Sequence, residues 1–482
     1  MGPPTRLPRP ARALLALVAA LAAALVALVS YRGWVHVSSA WDVWYYHLPF
    51  AARLVGLVPP DVVRFDALNE VRYQSFPRLA ELLQGALWRG LGRPEAASLL
   101  GPVTCVAVAA HARWVTRTPM GALLVAWIAI PTAQIHMSVP YIDLPANACV
   151  TGLVLVVHRA FVERRPLGPA MLGSAIALGA AAANMKLMMA PLAALALLAL
   201  GLRTAWLSPR RGLVLGAFAA TSPIVLATQL VNLARFGNPA YPVEVHVLGR
   251  ALPWVETPYT EVSPRFEPLP QPARFAASLL ELGLRELGDP FRYTVDQWMP
   301  PHMDGNRMGG FLHVYVVAML VLLAGLARGR EGKVAAAIFA VLTAVVAVMP
   351  QSHVLRYWLV WMLALTALVV TLGARALARR RWVRGALACA IVPVLALALT
   401  ARATRAWYLT PDSYRFGELV ADRVDGKAVA AIPEGGSRCV DAQPWSFLYA
   451  APFHPPRRYQ VVLAPEAECL DHARTSTYPA RH

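Results

Sequence analysis

Residues 355–401 read LRYWLVWMLALTALVVTLGARALARRRWVRGALACAIVPVLALALTA. Two apolar runs, 355–373 and 385–401, flank a turn holding Arg375, Arg379, Arg380, Arg381 and Arg384 and no acidic residue. Each run falls in the range of about 17–25 residues that crosses a bilayer. In lipid the backbone must satisfy its own hydrogen bonds, so each run is read as a membrane-spanning helix. Arginines crowded into the short turn between them mark it as a cytoplasmic loop.

The same alternation extends over the chain. Eleven runs are read as spans, the fifth and sixth of them short: 13–30, 96–112, 120–138, 144–162, 169–184, 187–202, 212–233, 311–327, 334–350, 355–373 and 385–401. Arg6, Arg9 and Arg12 precede the first, which puts the N-terminus in the cytoplasm. Every second short loop is then basic: Arg113 and Arg117; Arg159, Arg164 and Arg165; Arg203, Arg210 and Arg211; Arg328, Arg330 and Lys333. The opposite short loops hold only Lys186 and Arg356. A cleaved secretory leader competes for the first run, but its length and the lack of a small-x-small site before Tyr31 favour an uncleaved span.

Composition agrees. Of 482 residues 57% are hydrophobic and only 15% charged, against about 45–50% and 25% in soluble domains. The net charge of +18 would suggest a nucleic-acid partner, but the arginines sit in short loops between apolar runs, so no such partner is read. The expectation is an all-α polytopic membrane protein in the inner (plasma) membrane. Residues 1–401 form its membrane domain, with outer loops 31–95 and 234–310. Eleven prolines between Pro239 and Pro301 forbid a long helix in the second loop. Residues 402–482 form a small extracytoplasmic α/β domain, with strands expected around Ala428–Ile432 and Tyr459–Leu463. Its two cysteines, Cys439 and Cys469, are expected to form a disulfide in that oxidising compartment. There is no P-loop, GxGxxG, HExxH or CxxC, hence no support for ATP-driven transport or zinc hydrolysis.

Charges at span ends are the functional candidates, because an unpaired buried charge is costly. Asp42 lies in WDVWYYHLP just after the first span, and Asp143 in YIDLP at the outer start of the fourth. Lys186 sits at the outer turn after the fifth. His353, Arg356 and Tyr357 open the tenth, where i, i+3, i+4 spacing puts them on one helical face. His47 joins them from the Asp42 motif. All fall on one side of the membrane. Arginine and lysine grip phosphate, and a carboxylate accepts the proton of an attacking hydroxyl. Plainer readings stand beside these. Asp42 and Asp143 would each serve as a helix cap, Lys186 would snorkel to the headgroups, and Arg356 would meet lipid phosphate. His47 and His353 would be satisfied polar residues.

At these residues the chain resembles the GT-C superfamily of membrane glycosyltransferases, and in particular its protein mannosyltransferase and aminoarabinose-transferase branch. The likeness rests on WDVWYYHLPFAARL, the amphipathic NEVRYQSFPRLAELLQGALW, YIDLPANA, NMKLMMAPLA, FGNPAYP and RYWLVWML, in that order and on one side. The resemblance implies inverting transfer of a sugar from a polyprenyl-phosphate donor to a glycan, lipid or protein acceptor at the outer face. Asp42 matches the family's catalytic acid and Asp143 its second-loop acid; Lys186 and Arg356 match positions that hold the donor phosphate. Many members have adjacent acidic residues where this chain has Asp42-Val43, so a divalent cation lacks sequence support, and no other cofactor is implied. The alternative readings are a flippase for a lipid-linked glycan or a non-catalytic subunit of a surface-glycan assembly complex.

Overall fold

The computed structural model describes residues 8–257, 267–280, 292–293, 306–307, 313–403 and 413–465. The polypeptide is predominantly helical, and long apolar helices follow the predicted runs. α1 (Arg9–Val35) leads into the first long loop, which contributes α2 (Leu48–Leu54), α3 (Ala67–Ser75) and α4 (Leu79–Leu91). α5 (Leu100–Thr116) continues a short 3₁₀ turn. Then come α6 (Met120–Ile128), α7 (Pro131–His136), α8 (Asp143–Val162), α9 (Pro169–Met185) and α10 (Ala190–Leu207). α11 (Arg211–Val225) and α12 (Ala227–Phe236) precede the second long loop and its α13 (Gln271–Leu280). α14 (His313–Leu326), α15 (Gly329–Val348), α16 (Val360–Ala378), α17 (Trp382–Ala386) and α18 (Val392–Ala403) complete the membrane part, and α19 (Phe416–Arg423) and α20 (Gly426–Ala430) belong to the tail.

Among the described residues seven helices are long and apolar enough to cross a membrane, eight if the bent α11–α12 pair counts as one. α9 and α14 are shorter apolar helices. Two runs are interrupted, and proline explains both. In 120–138, Ile130 precedes Pro131 and is pushed to extended backbone (ψ 115°), which ends α6 and starts α7. In 212–233, Pro223 inside α11 cannot donate to the preceding turn, and the chain bends by 66° at Leu226. The amphipathic stretch 69–88 is likewise two helices, broken at Phe76-Pro77.

α8 and α16 are the core of the bundle. Trp127, Leu153, Leu155, Met362, Leu363 and Leu365 are wholly buried between neighbours. A second apolar core lies outside the bundle, joining the first loop to the tail through Trp44, Phe50, Val63, Phe447 and Val461. Here the tail differs from expectation. Ala428–Ile432 is not a strand: Asp425 caps Lys427 N, and the alanine-rich stretch winds into α20. The strands are Ser437–Asp441 and Gln460–Ala464, paired in parallel. The sheet's third strand, Val63–Arg64, comes from the first long loop, with Val63 opposite Val461. Cys439 is disulfide-bonded; Cys469, its expected partner, lies outside the described residues. Cys105, Cys149 and Cys389 are buried and free.

Candidate functional site

Asp42 is presented by an irregularity. After Val37–Ser38 pairs with Ser413–Tyr414 of the tail, the chain enters a π-helical turn, Val43–His47, that runs directly into α2. Such wide turns insert a residue into the helical ladder and recur at functional sites. Asp42 occupies the N-cap position of this turn, yet its side chain makes no capping bond. Its Oδ2 lies 2.9 Å from Arg356 Nη2.

The placement of Arg356 corrects the expectation of one helical face. Residues 350–359 are a run of turns, and α16 begins only at Val360. The second long loop braces this run. Gln271 Nε2 donates to Ser352 Oγ at 2.9 Å, and Ser278 Oγ to the His353 carbonyl at 2.6 Å. Asn147 of α8 accepts from Val360 N at 2.8 Å, which fixes the entry to α16. Without helical periodicity the three side chains separate. Arg356 reaches Asp42, and Tyr357 lies beside Arg356. His353 packs on the other side near Arg274, 4% exposed, with neither ring nitrogen hydrogen-bonded. Burial first, then the Arg274 charge, lowers its imidazole to about 4.

Asp143 is the first residue of α8 and also caps nothing; its Oδ1 accepts from Lys186 Nζ. Lys186 is extended between α9 and the turn leading to α10, and it is buried rather than snorkelling. The two ion pairs share Tyr357. The Lys186 ammonium lies 4.1 Å from its ring centroid, and Arg356 lies 4.8 Å from the same ring while donating to its hydroxyl at 3.2 Å. Cation–aromatic contacts of this kind strengthen when water is excluded. The pairs differ in access: the Asp143 and Lys186 side chains are 2% and 10% exposed, that of Asp42 17%. Asp42 is the carboxylate that an incoming group can reach.

His47 stands one ring away, 5.6 Å from Tyr141, but its Nδ1 is hydrogen-bonded to buried Glu81 at 2.9 Å. Sequence reasoning passed over three members. Tyr141 stacks under Arg356 at 5.0 Å, His136 packs on Tyr141 at 5.0 Å, and Tyr46 lies against His47. Tyr141 was within reach, since it lies two residues before Asp143; His136 carried no signal. Burial, and next the charge of Asp42, hold the Tyr46 phenol well above its ordinary value, so it stays protonated.

Other acidic residues of the loop are structural. Asp66 caps α3 through Asn69 N at 3.0 Å, and Glu70 pairs with Arg53 at 2.6 Å. Arg72 grips Glu256 of the second loop with both nitrogens, at 2.5 and 3.0 Å. FGNPAYP is a clasp: Gly237 ends α12 with φ 71°, and wholly buried Asn238 bonds the Val243 and Pro253 carbonyls and Ala240 N. Among the described residues, no group of three or more His, Cys, Asp or Glu side chains is placed to hold a metal ion.

No protein-family model matches the chain, and no curated protein matches it in sequence. Solved structures do. ArnT from Cupriavidus metallidurans in the apo state superposes with a TM-score of 0.52 at 15% identity, covering 95% of this chain and 86% of that one. The same protein bound to undecaprenyl phosphate gives 0.50 at 11% identity, with 93% and 86% covered. The chain therefore has the fold of these ArnT structures, in line with the fold that the resemblance implied.

Proposed function

We propose that the chain is a membrane glycosyltransferase that moves a sugar from a polyprenyl-phosphate donor to a hydroxyl acceptor at the outer membrane face. The observation that carries this reading is the pair of interlocked ion pairs, Asp42–Arg356 and Asp143–Lys186, around Tyr357. That a solved protein of this fold is bound to undecaprenyl phosphate supports the choice of donor.

The chemistry follows from charge. The resting cluster is neutral, with two carboxylates against two cations. A donor phosphodiester brings one negative charge, for which Arg356 offers a bidentate grip and Lys186 a point charge. Drawing Arg356 towards phosphate loosens it from Asp42, which is then free to act as a base. The acceptor oxygen attacks the anomeric carbon from the face opposite the phosphate, so the configuration inverts. Its proton passes to Asp42, and the electron pair of the breaking carbon–oxygen bond goes to the phosphate oxygen. The departing polyprenyl phosphate gains a second charge while Asp42 loses one. Preorganised cations at the developing charge contribute several kcal/mol in a water-poor site. Asp143, locked to Lys186, positions that ammonium without taking a proton.

The test is purified protein in detergent with a polyprenyl-phosphate sugar and a mixture of hydroxyl acceptors. Release of free polyprenyl phosphate that depends on Asp42 supports the reading. Binding of the donor without release would leave a lipid-glycan carrier or an assembly subunit in its place.

A further inference from the structure

The basic turns that oriented the chain in the sequence come together as a built feature. α14 and α15 are joined by a turn at Arg328 and Gly329, and α16 and α17 by one at Arg379–Arg381. Between the two hairpins lies a shallow cleft lined by Arg328, Glu331, Arg375, Arg379, Arg381 and Arg384. Glycine makes it possible. Gly329 has φ 75°, and a Cβ at Gly332 would collide with the Leu326 carbonyl and the Ala327 backbone. Gly373 and Gly385 let α16 and α17 touch, since a Cβ on either would strike Ala388 or Leu377. The hairpins are joined across the cleft by the Arg375–Glu331 ion pair at 2.6 Å and by a hydrogen bond from Arg384 Nη1 to the Gly325 carbonyl at 3.4 Å.

The charges do not balance. Among the described residues Glu331 is the only carboxylate lining the cleft; it engages Arg375 and, at 3.6 Å, Arg379. Five guanidinium groups against one carboxylate leave a concave surface of net positive charge. Its depth is also set. α16 runs 19 residues from just after Arg356 to just before Arg379, a rise of about 28 Å, close to the hydrocarbon thickness of a bilayer. The cleft therefore opens at the membrane face opposite Asp42, at the level of the lipid headgroups.

We propose that this cleft holds a phosphate, and that the phosphate belongs to the headgroup of an anionic membrane lipid. Arginine suits a phosphate diester geometrically, and basic pockets between membrane helices bind such headgroups. The cleft is remote from Asp42, so the proposal stands or falls independently of the catalytic reading.

The experiment uses delipidated full-length protein in an uncharged detergent, titrated with dioleoyl phosphatidylglycerol, dioleoyl phosphatidylcholine or inorganic phosphate. Bound lipid is counted by native mass spectrometry, and the thermal midpoint is followed in parallel. Arg379 and Arg381 are exposed, so Arg379→Gln/Arg381→Gln should fold. Arg210→Gln/Arg211→Gln, on a different basic turn, removes the same charge. The expected result is tight retention of one phosphatidylglycerol by the wild type and by Arg210→Gln/Arg211→Gln. The cleft variant should be weaker by about fivefold for each arginine removed. Equal losses in both variants, or equal retention of phosphatidylcholine, would overturn the site. Protection by millimolar inorganic phosphate matching that by phosphatidylglycerol would overturn the lipid as the source and leave a soluble phosphate as the ligand.

Discussion

Arg356 Nη2 lies 2.9 Å from Asp42 Oδ2, in an ion pair that joins the first long loop to the turns leading into α16. Neither side chain has a local reason to be there: Asp42 caps nothing, and Arg356 precedes its helix. Each is held in place by distant segments. Mutation can therefore separate chemistry from folding at this position.

Asp42→Asn should fold normally and lose activity by about 10²–10⁴-fold, the usual loss for a general base. The amide keeps the shape and one acceptor oxygen but takes no proton at neutral pH. Turnover of polyprenyl-phosphate sugar is the measurement, with the thermal midpoint as the folding control. Retention of more than about a tenth of the rate would remove Asp42 from the mechanism.

The buried pair should behave in the opposite way. Asp143→Asn or Lys186→Gln alone leaves a charge without its partner and should destabilise the protein by about 3–5 kcal/mol. The double variant should recover most of that stability but not the activity, because the phosphate has lost its ammonium. Thermal midpoints of the three variants, set beside their donor KM, check this. A double variant no more stable than the singles would show that the pair is not what each residue depends on.

A pH effect should be traceable to His353. Its imidazole is lowered in the folded protein to about 4, from 6.5. The unfolded chain thus binds the proton more readily, so this residue's contribution to stability is complete above pH 6.5 and is lost as the pH falls towards 4. The full difference is roughly 3 kcal/mol. The thermal midpoint should drop between pH 7 and pH 5 by more in the wild type than in His353→Leu. Identical pH profiles would show that the imidazole is not buried as described.

Sidedness has a direct test. Leu248 of the second outer loop is fully exposed, and Arg211 is exposed at the start of α11. With a cytoplasmic N-terminus, Leu248→Cys should react with a membrane-impermeant maleimide on intact cells, and Arg211→Cys only after permeabilisation. The reverse pattern would invert the topology and move the proposed reaction to the cytoplasmic face.

Much of this was written in hydropathy and charge. Lipid leaves a backbone few choices, so apolar length and arginine placement locate the helices; prolines such as Pro131 and Pro223 then interrupt two of the runs. Four charges of the site were legible for a related reason: Asp42, Asp143, Lys186 and Arg356 are anomalies in an apolar context. What could not be read was pairing. Local spacing assigned His353 to a face shared with Arg356, but that face required a helix that starts four residues later, at Val360. The aromatic members, Tyr141 and His136, resembled ordinary packing until the fold set them against Arg356 and each other. The tail misled because alternation over five residues is too brief to distinguish a strand from an alanine-rich turn of helix.

The segment carrying Asp42 is gripped by the far end of the chain. Val37 pairs with Tyr414, the Trp445 indole donates to the Ser39 carbonyl at 3.0 Å, and Val63 takes its place in the sheet beside Val461. These supports lie far from Asp42 in sequence and next to it in space. On the proposed reading, cutting the chain ahead of Ser413 would unfasten Asp42 from its place opposite Arg356 while leaving the apolar helices intact, so such a truncated molecule should insert and yet be idle.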